Sequence, residues 1–277
     1  QLKMQIATHT WVKEIHAEQQ QLTVIKDGAE STQPYSQLVL AVGANPIRLA
    51  IAGDGSNDIQ VVNNLDDYKA FRAELEKRVV ILGAGLIGCE FANDLQHTGH
   101  QATVIDLANQ PLGRLLPAHV SSAFKENLEA TGIHFVLGTT VEKVSKIENG
   151  DYVVTLANGQ SLVADVVLSA IGLQPSISLA KEADIQTSRG ILTNAQLETN
   201  QPHIYAVGDC AEVNGLLLPY VMPIMQQARA LAKTLNGETT AVHYPAMPVA
   251  VKTPAAPLTV LPAPIDAEVN WETEELD

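Results

Sequence analysis

The chain has 277 residues, 46% of them apolar, and a formal net charge of −14. That is apolar material for one large or two medium domains, and the charge argues strongly against a nucleic-acid binder, which needs Lys and Arg to meet phosphates. No apolar run approaches the length of a membrane span. The two cysteines, Cys89 and Cys210, form no Cys-x-x-Cys pair, which argues against a catalytic dithiol or zinc knuckle and fits a reducing cytoplasm.

Gln5–Ile15 and Gln21–Ile25 read as strands, joined later to the chain by a turn at Lys26-Asp27-Gly28. Leu38–Val42 is a short apolar run ending at Gly43, and Asn45–Asp58, rich in Gly, Pro, Asn and Asp, reads as a crossing linker. Leu65–Lys77 has helical spacing, with Leu65, Tyr68, Phe71 and Leu75 on one face. The chain opens at Gln1 in mid-pattern and is expected to be a fragment.

Arg78–Asp106 carries the strongest signal. Arg78–Leu82 reads as a buried strand, followed at once by Gly83-x-Gly85-x-x-Gly88 and a helical segment, Leu86–Thr98, with Leu86, Ile87, Phe91 and Leu95. Gln101–Asp106 is a second strand ending in an acid. Gly83 permits the tight turn, Gly85 lets a pyrophosphate approach the backbone, and Gly88 lets helix and strand pack closely. The helix start supplies free N–H groups and a positive dipole end. Asp106 stands where an acid can bond the ribose hydroxyls of NAD and repel the extra phosphate of NADP. A packing-only turn would not need strand, helix and acid together.

Beyond it, Gln110–Leu116 reads as a loop, Pro117–Thr131 as an amphipathic helix and His134–Leu137 as a third strand of the same unit. Val141–Ile147, Tyr152–Leu156 and Ser161–Val163 alternate as an antiparallel meander, and Asp165–Ala170 is a further buried strand ended by Gly172-x-x-Pro175. Gly190–Ile204 is a connecting segment. Ile204–Val207 is a buried strand ending in Gly208-Asp209-Cys210, Pro223–Leu235 is helical, and Val249–Val260 has strand character. Ala263–Asp277 reads as an acidic loop or tail. The eight histidines show no His-x-x-x-His or Cys–His spacing, so no metal site is expected.

The order Leu38–Gly43, Gly83–Gly88, Gly172–Pro175, Ile204–Cys210 resembles, over nearly the whole chain, the two-dinucleotide flavoprotein reductases of the pyridine nucleotide–disulfide oxidoreductase family. GLIGCEFANDL, YAVGDCAEV, YVMPIM and VKTPAAPL are most similar to members that pass electrons from NADH through FAD to rubredoxin, which feeds a membrane alkane hydroxylase. The resemblance implies an α/β fold with two doubly wound dinucleotide-binding domains. The FAD domain is expected to be discontinuous, 1–58 and 172–244, and incomplete at its N-terminus. The NAD domain spans 59–171, and 245–277 is a shortened C-terminal interface domain with its tail.

Roles follow by resemblance. Gly83, Gly85, Gly88 and Asp106 would hold NADH, and Glu90 would be the catalytic acid beside nicotinamide and flavin. Val12 matches the strand whose backbone faces the FAD adenine, and Gly43 closes the strand beside the same nucleotide. Asp209 matches the acid that bonds the flavin ribityl and pyrophosphate region. Val221 precedes the helix aimed at the flavin O2 edge, where a positive dipole end favours the reduced anion. Lys252 matches a lysine reaching the flavin. Plain structural roles compete at each: a charged helix residue for Glu90, core packing for Val12, a simple turn for Asp209, a surface lysine for Lys252.

The resemblance has gaps. The family's first Gly-x-Gly-x-x-Gly, on the FAD strand, has no counterpart before Leu38. Cys89 and Cys210 stand at no dithiol position. Rubredoxins are usually acidic, as is this chain, so docking would need a local basic patch, for which Lys69, Arg72, Lys77 and Arg78 are candidates. The alternatives are a related flavin reductase serving ferredoxin, a nitrite reductase component or oxygen, and a non-catalytic nucleotide-binding module.

Overall fold

A computed structural model describes residues 4–148, 150–262, 271–272 and 274. The chain divides into two units, Gln1–Asn45 with Gln174–Met247, and Pro46–Leu173 with Pro248–Asp277.

The second unit is built on a five-stranded parallel sheet in the order Gln60–Val61, Val166–Ser169, Arg78–Leu82, Gln101–Asp106, His134–Leu137. Val79, Val80, Ile81, Leu82 and Val104 are buried, as a parallel sheet covered on both faces requires. One face packs against the helices Leu65–Glu74, Leu86–His97 and Ala118–Glu129, with Phe71 and Phe91 meeting edge to face at 5.7 Å. The other face carries the antiparallel meander Val141–Lys146, Tyr152–Leu156, Ser161–Ala164, through Val144, Val154 and Leu156. Arg78 fastens the sheet's entry edge: its backbone N–H and guanidinium both donate to Asp165, and the guanidinium also meets Asp151 at 2.6 Å.

The apolar face expected at Leu65, Tyr68, Phe71 and Leu75 is only partly buried. Phe71 is enclosed, whereas Leu65 is 85% exposed. Leu65 is the first residue of the helix, whose start is capped by Asn64 Oδ1 accepting from the backbone N–H groups of Asp66 and Asp67. On the helix Leu86–His97 the core stripe is Gly88, Cys89, Ala92 and Leu95, and Ile87 is exposed. Small residues win because this helix lies close against its strand.

The C-terminal stretch, expected as a separate remnant from 245, forms a hairpin of Val249–Val251 and Leu258–Val260. Its Val251, Ala256 and Val260 join the core of the second unit beside Ala92 and Leu95. The expected tail, Ala263–Asp277, lies almost wholly outside the described residues.

The first unit has its own core, in which Leu40, Ile191, Ile204, Ala206 and Val213 are buried. Leu38–Leu40 pairs in parallel with Ile204–Ala206, and Ile191–Thr193 with Ala211–Val213. Thr10–His16, Gln21–Lys26 and Ala29–Pro34 form an antiparallel sheet. The third of these strands was not legible. Its sequence, AESTQP, is exposed at every position, and pairing with Gln21–Lys26 across the Asp27-Gly28 turn holds it, not an apolar face.

Candidate dinucleotide-binding sites

In the second unit, Arg78–Leu82 runs into Gly83 at φ +105°, a conformation that L side chains rarely adopt. The Gly83 N–H donates to the Ile105 carbonyl at 2.7 Å, which ties the turn to the neighbouring strand. A Cβ on Gly88 would lie 1.9 Å from the Gly83 carbonyl oxygen, so helix and turn approach as closely as a glycine permits. A Cβ on Gly85 would meet nothing within 4 Å. Packing therefore explains Gly83 and Gly88 and leaves Gly85 unexplained. The open space beside Gly85 lies at the N-terminus of Leu86–His97, where unpaired N–H groups could receive a pyrophosphate.

Asp106 ends its strand where expected, half-buried. Its Oδ2 accepts from the Ala84 N–H at 2.6 Å and its Oδ1 from the Ala108 N–H at 2.7 Å. The acid thus fixes the glycine-rich loop, a role that sequence reasoning did not foresee. Glu90, one turn into the helix, accepts the Lys252 backbone N–H at 3.0 Å, and Asn93 accepts the Ala255 N–H at 3.2 Å. The pair anchors the Lys-Thr-Pro-Ala turn of the C-terminal hairpin to the glycine-loop helix. The Lys252 side chain is exposed.

Cys89 is fully buried behind the loop, and burial, with Asp106 and Glu90 adding to it, pushes its thiol up to about 12. Cys210 is also buried, with its thiol raised by burial. Both are packed, protonated residues.

In the first unit, the buried strand Ile204–Ala206 delivers Gly208-Asp209-Cys210 as a single 3₁₀ turn. Gln227, buried on the helix Val221–Leu235, holds it. Its Oε1 accepts the Gly208 N–H at 2.7 Å, and its Nε2 donates to the Tyr244 hydroxyl at 3.0 Å. Gln227 escaped sequence reasoning because its partner is a backbone group brought near only by folding. Asp209 Oδ1 is buried without a hydrogen-bond partner, and burial raises the carboxyl above its ordinary value. An orphaned buried acceptor is costly; a hydroxyl-bearing ligand, such as the ribityl chain of FAD, would satisfy it. These residues fit FAD, and the Gly85 cradle fits NAD.

Gly43 has φ +65°, and its carbonyl accepts the Ser176 N–H at 3.0 Å. Val12 is 41% exposed on the edge strand of its sheet, which removes core packing as its explanation. Val221 is the first residue of its helix and 74% exposed, with Pro223 two positions on. The candidate basic patch is weak. Lys69, Arg72 and Lys77 are exposed but interleaved with Asp66, Asp67, Glu74 and Glu76, and Arg78 is committed to Asp151 and Asp165. Among the described residues no cluster of His, Cys, Asp and Glu could hold a metal, and no helix is long and apolar enough to cross a membrane.

A parallel sheet with a glycine-rich turn in one unit, and a Gly-Asp turn after a buried strand in the other, define a protein built to hold dinucleotides. The family model for pyridine nucleotide-disulphide oxidoreductases matches residues 1–234, and that for a rubredoxin binding C-terminal domain matches 241–277. This chain belongs to the pyridine nucleotide–disulphide oxidoreductase family. It is 75% identical over its whole length to a rubredoxin–NAD(+) reductase of Acinetobacter baylyi, spanning 72% of that protein. It is 48% identical over 99% of its length to one from Alcanivorax borkumensis, spanning 71% of it. Among solved structures it resembles a ferredoxin reductase from Rhodopseudomonas palustris (TM-score 0.79, 30% identity, 85% of this chain, 60% of that one). It also resembles the reductase of a covalent putidaredoxin reductase–putidaredoxin complex (TM-score 0.80, 27% identity, 88% of this chain, 61% of that one).

Proposed function

We propose that this chain carries the NADH-oxidising and FAD-binding machinery of a flavoprotein reductase whose electron acceptor is a rubredoxin. The observation that carries this reading is 75% identity, over the whole chain, to a rubredoxin–NAD(+) reductase.

When bound, NADH supplies a hydride and FAD accepts it as two electrons that can leave singly, which suits an iron-protein acceptor. The chain's own residues bind and orient. The Gly83–Gly88 turn and the helix start hold the NADH diphosphate by backbone N–H groups and the dipole end. Asp106 holds the loop and selects the unphosphorylated ribose. Asp209, set by Gln227, receives the flavin side chain, with Val12 and Gly43 along the adenine nucleotide. The N–H groups at Val221 favour negative charge on a reduced flavin. Glu90 and Lys252 are placed as one unit, so the lysine's position depends on the glutamate. A cytoplasmic setting supplying electrons for alkane oxidation suits two buried, unpaired cysteines.

The test is the visible spectrum of the full protein, with NADH added under anaerobic conditions and oxidised rubredoxin next. Flavin bands bleached by NADH and restored by rubredoxin support the reading. Bleaching that rubredoxin does not reverse removes the acceptor and keeps the flavoprotein. A colourless protein that takes up no flavin removes the enzyme.

A further inference from the structure

The parallel sheet has a topological switch point. From Arg78–Leu82 the chain moves one way to Gln101–Asp106 and His134–Leu137, and later returns on the other side as Val166–Ser169. Ligands of open α/β sheets bind outside the carboxyl ends of the strands at such a point. A cleft of about 290 Å³ lies there, lined by the last residues of three adjacent strands, Val61, Leu82 and Ser169. Leu82 leads directly into the Gly83 turn, so the cleft adjoins the end of the strand that carries that turn, on its Val166–Ser169 side and away from the Asp106 strand.

Its chemistry is unlike the rest of the surface. In a chain of net charge −14, no carboxylate among the described residues lines this cleft, and one cation among them does, Arg48. Arg48 is exposed and makes no ion pair or side-chain hydrogen bond with any described residue. Ile51 and Ile59 give the cleft apolar walls. A guanidinium without a counter-ion, over an apolar slot beside a phosphate loop, suits a ligand that is anionic at one end and flat at the other.

We propose that Arg48 is a further NADH-binding residue, pairing with the diphosphate on its nicotinamide side while the cleft receives the nicotinamide ribose half. This rests on the NADH reading above. It assigns the two halves of the dinucleotide to different sequence segments: the adenosine half to Asp106, the nicotinamide half to Arg48 in the connecting stretch after Pro46. A guanidinium is suited to the task because its forked donors meet two phosphate oxygens at once.

The experiment is calorimetric titration of the full protein with NAD+ and with AMP, in wild type, Arg48→Ala and Arg48→Lys. Loss of one charge-assisted pair predicts NAD+ affinity weakened about tenfold in Arg48→Ala, partly recovered in Arg48→Lys. AMP affinity should not change. The melting temperature should be unaltered, since Arg48 makes no ion pair or side-chain hydrogen bond with any described residue. NAD+ binding equal to wild type in Arg48→Ala overturns the proposal, as does equal weakening of NAD+ and AMP. A wild-type protein that binds no NAD+ overturns the NADH reading itself and this inference with it.

Discussion

The carboxylate of Glu90 accepts the backbone N–H of Lys252 at 3.0 Å, across 162 residues of sequence. Two positions that the family resemblance marks separately as flavin-side residues are thereby one structural unit. Glu90→Ala should free the Lys252 amide, raising its hydrogen-exchange rate roughly fivefold, the equivalent of about 1 kcal/mol. Glu90→Gln keeps an acceptor and should keep the protection. Unchanged exchange in Glu90→Ala would show that the hairpin is held without the glutamate.

The three glycines of the turn should separate in their effects. Gly88→Ala forces a Cβ to 1.9 Å from the Gly83 carbonyl and should cost about 1–3 kcal/mol of stability by urea unfolding. Gly85→Ala meets no protein atom, so the unfolding midpoint should stay put while NADH binding weakens. A Gly85→Ala protein that binds NADH normally would remove the pyrophosphate from this turn.

Asp209 should make the flavin-free protein sensitive to pH. Burial raises its folded pKa above the ordinary 3.8, so the folded state binds the proton more tightly than the unfolded chain. Stability from this group is present below 3.8 and is lost as pH rises through the folded value. Asp209→Asn should flatten that slope in urea midpoints taken across the acidic range. Asp209→Ala, which removes the side-chain oxygens altogether, should weaken FAD retention, because the buried Oδ1 acceptor is then gone.

Neither thiol should react in the native protein. Cys89 is pushed up to about 12 and both cysteines are fully buried, so a thiol-specific chromogenic reagent should label none before denaturation and both after. Labelling of the folded protein would show a thiol in chemical use.

What the sequence alone determined is local. Arg78–Leu82, the glycine turn, Leu86–His97 and Asp106 are contiguous, and their chemistry depends on backbone conformation and periodicity that neighbouring residues dictate. Gly-Asp-Cys after a buried strand and the Asp27-Gly28 turn were legible for the same reason. What only the tertiary structure decided involves partners far apart in the chain. The exposed strand Ala29–Pro34 exists because Gln21–Lys26 offers it a ladder. Gln227 supports Gly208, Glu90 supports Lys252, and Arg48 comes to the switch-point cleft beside Leu82 and Ser169, because folding sets backbone groups and strand ends next to side chains that no periodic pattern connects. A hydrogen bond to a distant amide leaves no mark on the sequence around either partner, whereas a glycine that must turn the chain carries its reason in its own backbone.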